Sequence, residues 1–149
     1  MREILFKAKR IDNGEWVEGC YAECNGKTFI GIDISIGIDD IFEVFCTHVI
    51  RWLEVDPETL CQFTGETDKN GKRIWESDVV WLVYDGKEHI YQIVWDNSEL
   101  DFKATNGEEN YGSNFEYLLC CDEIEVIGNI FDNPELLQEE SNEKISISD

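Results

Sequence analysis

The chain has 149 residues, 42% of them hydrophobic, with five Trp, five Tyr and eight Phe, which is enough to bury a core in one domain or two small subdomains without staples. Twelve Lys and Arg face 33 Asp and Glu, a net charge of −21, and a surface of that sign repels phosphate backbones and anionic lipid, so direct nucleic-acid binding is not expected. No apolar run approaches a signal-peptide core or a membrane span, so the expected location is the cytoplasm, with no membrane contact.

Ile4, Phe6 and Ala8 alternate with Glu3, Leu5 and Lys7, and the cluster Asp12-Asn13-Gly14-Glu15 turns the chain into Trp16 to Tyr21; this predicts a β-hairpin. After Asn25-Gly26, the stretch from Phe29 to Ile38 places Ile30, Ile32, Ile34, Ile36 and Ile38 on one face and Gly31, Asp33, Ser35 and Gly37 on the other. That period of two predicts a strand with one dry face. It reads as a core strand or, alternatively, as one whose thin glycine face lets a second strand or subunit come close, and so allows a homo-oligomer. Asp39-Asp40 then turns the chain, and Ile41 to Val55 is apolar enough for one or two further strands.

Asp56 before Pro57 reads as an N-cap, which predicts a short helical turn through Leu60. Asn70-Gly71 reads as a hairpin tip with both residues at positive φ, the type I′ geometry. Asp68 and Asn70 do not make a calcium loop, because Gly71 stands fourth from Asp68 and Val79 occupies the twelfth position. Five strands follow, Val79 to Tyr84, His89 to Trp95, Leu100 to Thr105, Phe115 to Leu119 and Ile124 to Phe131, joined by turns at Asp85-Gly86-Lys87-Glu88 and Asp96-Asn97-Ser98-Glu99 and by a polar loop from Asn106 to Asn114. Short strands and tight turns of this kind predict a small SH3-like barrel. Asn133 before Pro134 predicts a cap on a last short helix, and residues 138–149 lack the apolar surface to fold, which predicts a disordered acidic tail.

No residues assemble a recognisable catalytic, cofactor or metal site. The six cysteines, Cys20, Cys24, Cys46, Cys61, Cys120 and Cys121, are read as free thiols of a reducing compartment. Cys20, Cys24 and His48 are the weighed zinc alternative, but the three-residue gap has no second matching pair. His48 and His89 are each flanked by apolar strand residues and read as packing residues rather than general bases. Asp96, Glu99 and Asp101 cluster at a turn, where Asp serves local hydrogen bonding.

The run from Val55 to Val80 carries a further signal. Its pieces are Pro57-Glu58-Thr59, Gln62-Phe63-Thr64-Gly65, Asp68-Lys69-Asn70-Gly71-Lys72 and Ile74-Trp75-Glu76-Ser77-Asp78, accompanied by Arg2 to Ala8 and by Val126 to Leu137. On these motifs the chain resembles the YopX-like phage proteins over residues 2–137. The resemblance implies an accessory protein of phages and prophages and brings no activity with it. Two positions depart from the pattern: Cys61 and Ser77 stand where glycine is expected. The Ser77 turn is expected to accept ordinary β or α backbone in place of positive φ. The motif reads as architectural, since its Gly, Asn, Asp and Thr form turns and its Phe63, Ile74 and Trp75 anchor a core.

The expected organisation is a β-dominated α+β fold with a YopX-like domain at 1–137. It divides into an N-terminal β subdomain at 1–56, a connector at 57–77 and an SH3-like barrel at 78–137. The expected function is a non-enzymatic protein-interaction module with an unidentified protein partner. Two alternatives stand beside it. Residues 74–149 hold three basic and nineteen acidic side chains, so the acidity could itself imitate nucleic acid and inhibit a basic DNA-binding protein; or distant residues could assemble an enzyme site that no motif reveals.

Overall fold

The computed structural model describes residues 3–35, 48–106, 115–117 and 121–137. The protein is mainly β, with two antiparallel sheets. It divides into two compact units, Met1–Gln62 and Phe63–Asp149.

In the first unit, β1 (Phe6–Lys9), β2 (Trp16–Cys24), β3 (Lys27–Ser35), β4 (His48–Val55) and the start of β5 (Cys61–Thr67) pair in the order β4-β3-β2-β1-β5. Asn25 and Gly26 both take positive φ (53° and 75°) between the paired Cys24 and Lys27. This type I′ tip matches the twist of the strands it joins. Alternation then sorts the side chains: Ala8, Val17, Ile30 and Val55 are buried together, with Phe6, Tyr21, Ile32, Leu53 and Leu60 packed against them. The dry face fades towards both ends, however. Ile4 precedes β1 and is exposed, Ile34 is 36% exposed, and Ile36, Ile38 and the Asp39-Asp40 turn lie outside the described residues.

Asp56 behaves as its position predicts. Its carboxylate accepts the Glu58 N–H at 3.0 Å and caps a 3-10 turn at Pro57–Thr59. The Thr59 hydroxyl oxygen accepts the Lys9 N–H, and Asp56 N–H donates to the Lys9 carbonyl, both at 2.8 Å. The turn is thereby fastened to β1.

In the second unit, the rest of β5 pairs with β6 (Arg73–Trp75). The strands β7 (Asp78–Tyr84), β8 (Lys87–Asp96), β9 (Asp101–Thr105), β10 (Phe115–Tyr117) and β11 (Glu123–Asn129) pair in the order β10-β9-β8-β7-β11. Ile74, Val80, Leu82, Tyr91, Ile93, Phe102 and Ala104 form its core. Among the described residues no pairing joins β10 to β11, so this sheet is open. Residues 135–137 are helical.

Four turns differ from their sequence reading. At Asn70-Gly71 only the glycine takes positive φ (81°). Gly71 N–H donates to the Asp68 carbonyl, and Asp68 N–H to that of Lys72, so the tip is a three-residue loop with glycine at its left-handed position rather than a type I′ pair. Ser77 does take positive φ (72°), against the expectation of ordinary backbone. Its N–H donates to the Ile93 carbonyl and its carbonyl accepts the Ile130 N–H, and these bonds hold it there. The four-residue turn expected at Asp85 narrows to Asp85-Gly86, with positive φ at both. Finally, Asn133 Oδ1 does not cap the last helix but turns back to accept the Asn129 N–H at 3.3 Å.

Candidate functional site

A densely bonded polar cluster lies at the β5–β6 tip. Asp68 is buried, and its Oδ1 accepts the N–H groups of Asn70 and Lys72 at 2.9 Å while Oδ2 accepts that of Val126 in β11 at 3.0 Å. Burial pushes the carboxyl up, but the Val126, Lys72 and Asn70 N–H groups outweigh it and hold it below the usual carboxylate value. Around it, Lys69 N–H donates to the Ile124 carbonyl, Asn70 Nδ2 reaches Glu125 at 3.3 Å, and the Lys69 ammonium stands 4.9 Å from the centre of the Trp81 ring. Every group here is engaged with another part of the chain. The cluster pins the tip to β11 and leaves no arrangement aimed at a ligand.

Among the described residues, several exposed apolar side chains lie on β3 and β4. Trp52 faces Gly31 and Ile50 faces Asp33 on one side of the ladder, and Val49 faces Ile34 on the other. Trp52 is 46% exposed and Ile50 47%, neighbours on one face of β4, while Val49 is 40% exposed on the other. Gly31 does not offer an open notch for the alternative reading of its face. A Cβ there would lie 2.7 Å from Ile50 Cγ2, 2.8 Å from Cys20 Sγ and 2.9 Å from Trp52 Cζ3, so the chain's own side chains close over this glycine. Trp52 was not singled out in the sequence; its signal was a large aromatic placed to face a glycine on the neighbouring strand.

The remaining candidates resolve individually. Cys20 and Cys24 are exposed on one face of β2, and the His48 side chain is outside the description. Cys61 is buried, its thiol donating to the Thr59 carbonyl at 3.2 Å. Among the described residues no three His, Cys, Asp or Glu side chains come together to hold a metal. His89 stacks on Tyr91, with ring centres 4.9 Å apart. Of the Asp96 group, Asp96 Oδ2 accepts from the buried Lys103 ammonium and Oδ1 from the Ser98 hydroxyl and N–H, and Lys103 first, then Ser98, holds the carboxyl far below its usual range. Asp101 Oδ1 accepts the Phe102 N–H. This cluster organises the β8–β9 turn.

Several cations among the described residues are likewise occupied within the chain. Lys7 and Lys9 stand 4.7 and 5.5 Å from the centre of the Trp16 ring, Arg73 stands 5.5 Å from that of Phe63, and Arg10 forks onto Asp12. Arg10 and Asp12 also line a cleft of about 200 Å³ with Ile11, Leu53 and Glu54, below the roughly 300–1,000 Å³ of ordinary small-molecule sites. Among the described residues, no helix is long and apolar enough to cross a membrane.

These features define a two-unit β protein whose polar clusters hold turns in place. Residues 6–138 match the family described as YopX protein, and the chain belongs to that family. Among solved structures it is similar to the crystal structure of protein EF1440 from Enterococcus faecalis, with a TM-score of 0.50 and 22% identity over 92% of this chain and 99% of that one. A likeness at that identity concerns the fold. No curated protein matches the chain.

Proposed function

We propose that the chain is a cytoplasmic accessory protein of a phage or prophage, and that it acts as a non-enzymatic interaction module through the β3–β4 surface. The observation that carries this reading is the exposure of Ile50 and Trp52 on one face of β4, which edges its unit's sheet among the described residues. An apolar edge strand offers a partner both side-chain contacts and unpaired backbone groups. The partner is a protein, since the cations named above are engaged within the chain and the net charge is −21, which opposes nucleic acid. A second copy of the chain is the alternative occupant, disfavoured by repulsion between two strongly acidic molecules.

Residues 1–137 are proposed as the functional domain, divided at 1–56, 57–77 and 78–137. The last part is proposed as an SH3-like unit because β11 returns to pair with β7, the first of its five strands. Residues 138–149 are proposed as a loose acidic tail.

One second reading has its own observation. The acidity of residues 74–149 suits an inhibitor of a basic DNA-binding protein. The two readings separate in a binding assay at physiological salt. A Trp52→Ala, Ile50→Ser double variant abolishes partner capture if β4 is the contact. If acidity is the contact, that variant keeps its partner and DNA competes for it.

A further inference from the structure

Three Asn-Gly pairs fall wholly within the described residues: Asn13-Gly14, Asn25-Gly26 and Asn70-Gly71. Asn-Gly is the sequence most prone to spontaneous succinimide formation, because glycine offers no side chain to hinder attack by its own backbone nitrogen. The fold restrains these three pairs unequally.

At Asn70, the backbone N–H donates to Asp68 and Nδ2 to Glu125, and the Gly71 N–H, whose nitrogen would attack, donates to the Asp68 carbonyl at 3.0 Å. At Asn13, Oδ1 accepts the Glu15 N–H at 2.9 Å, Nδ2 reaches Glu15 at 3.4 Å, and the Gly14 N–H donates to the Arg10 carbonyl at 2.9 Å. Asn25 is exposed at the β2–β3 tip. Among the described residues neither its side chain nor the Gly26 N–H makes a hydrogen bond. Attack requires the asparagine to rotate out of its turn geometry. Only at Asn25 can that rotation occur without breaking side-chain and glycine N–H bonds first.

We infer that Asn25 is a modification site, which among the three fully described Asn-Gly pairs converts to aspartate or isoaspartate ahead of Asn13 and Asn70. The Gly26 nitrogen bonds to Asn25 Cγ, the Cγ–Nδ2 bond breaks, and ammonia leaves with the proton from the Gly26 amide. Water then opens the succinimide at either carbonyl. One product is aspartate, which adds a negative charge at the tip. The other is isoaspartate, which inserts a methylene into the main chain and misaligns the two-residue loop that sets the Cys24 to Lys27 register.

The test is incubation of the full chain at mildly alkaline pH, natively and in urea, followed by peptide mapping that separates asparagine, aspartate and isoaspartate at each position. The native protein should convert Asn25 at least several-fold faster than Asn13 or Asn70, and urea should bring the three rates together. Conversion of Asn13 or Asn70 at the Asn25 rate in the native protein overturns the inference. So does an unchanged ranking in urea, because the order would then belong to the sequence and not to the fold.

Discussion

Single residues fix several turns by distinct means, and Ser77 shows the cost. A non-glycine residue in the left-handed region is disfavoured by about 1–2 kcal/mol, yet Ser77 sits at φ 72° because Ile93 in β8 and Ile130 just after β11 bond its backbone. Ser77→Gly should therefore stabilise the protein by about 1 kcal/mol, read as a higher denaturant midpoint at unchanged slope. Leu100, with φ 57° and 74% exposure, should respond in the same direction to Leu100→Gly. Asp68 works by hydrogen bonding: Asp68→Ala leaves backbone donors at the tip and in β11 unpaired, an expected loss of about 1–3 kcal/mol. Asp68 and Asp96 both have folded pKa values lowered from the ordinary one. Their contribution is complete above the unfolded value of about 3.9 and is lost as pH falls below it towards their folded values. Stability measured between pH 5 and 2 should fall less steeply in Asp68→Asn than in the parent; an identical slope would remove Asp68 from the account.

Elements follow the sequence most closely where one local rule acts alone. The β2–β3 hairpin was legible because Asn25-Gly26 sits between alternating segments, and the 3-10 turn because Asp56 precedes Pro57. At Asn70-Gly71 the dipeptide pointed to a two-residue loop, but the Asp68 carboxylate collects the Asn70 and Lys72 N–H groups, and this side-chain bonding selects the longer tip. The closing of the Gly31 face was not legible, for a different reason. A β pattern tells which face a glycine is on, but not that Trp52 and Ile50 of a neighbouring strand will close over it. Gly31→Ala is accordingly expected to destabilise by about 1–3 kcal/mol, the range for overpacking, and thermal denaturation monitored at Trp fluorescence should detect it. An alanine tolerated without loss would mean that the three side chains move aside freely.

For the whole molecule, composition identified the class and the connector motif identified the family, while the candidate contact surface emerged only from the pairing of β3 with β4. Its residues are adjacent across strands, so no linear motif marks them. Charge acts at this scale as well. Reversing Glu108, Glu109, Asp122 and Glu123 to lysine changes the net charge by eight units, from −21 to −13. Asp122 and Glu123 are exposed, whereas Glu108 and Glu109 lie outside the described residues. Little change in the melting temperature is expected from this replacement. Light scattering across a dilution series should return the 17.3 kDa of one chain; a larger, concentration-dependent mass would give the β4 surface to a second copy.

Quantitative affinity capture from cells expressing the genes of the proposed phage or prophage tests the central claim most directly. It should be done at physiological salt, where exposed charges are screened over about 8 Å. Parent, four-lysine variant and the Trp52→Ala, Ile50→Ser variant are compared, with the fold of each checked by its melt. Parent and four-lysine variant should retain the same protein, and the β4 variant should lose it. Retention by a folded β4 variant, with loss from the four-lysine variant, would contradict the account and assign binding to the acidic surface.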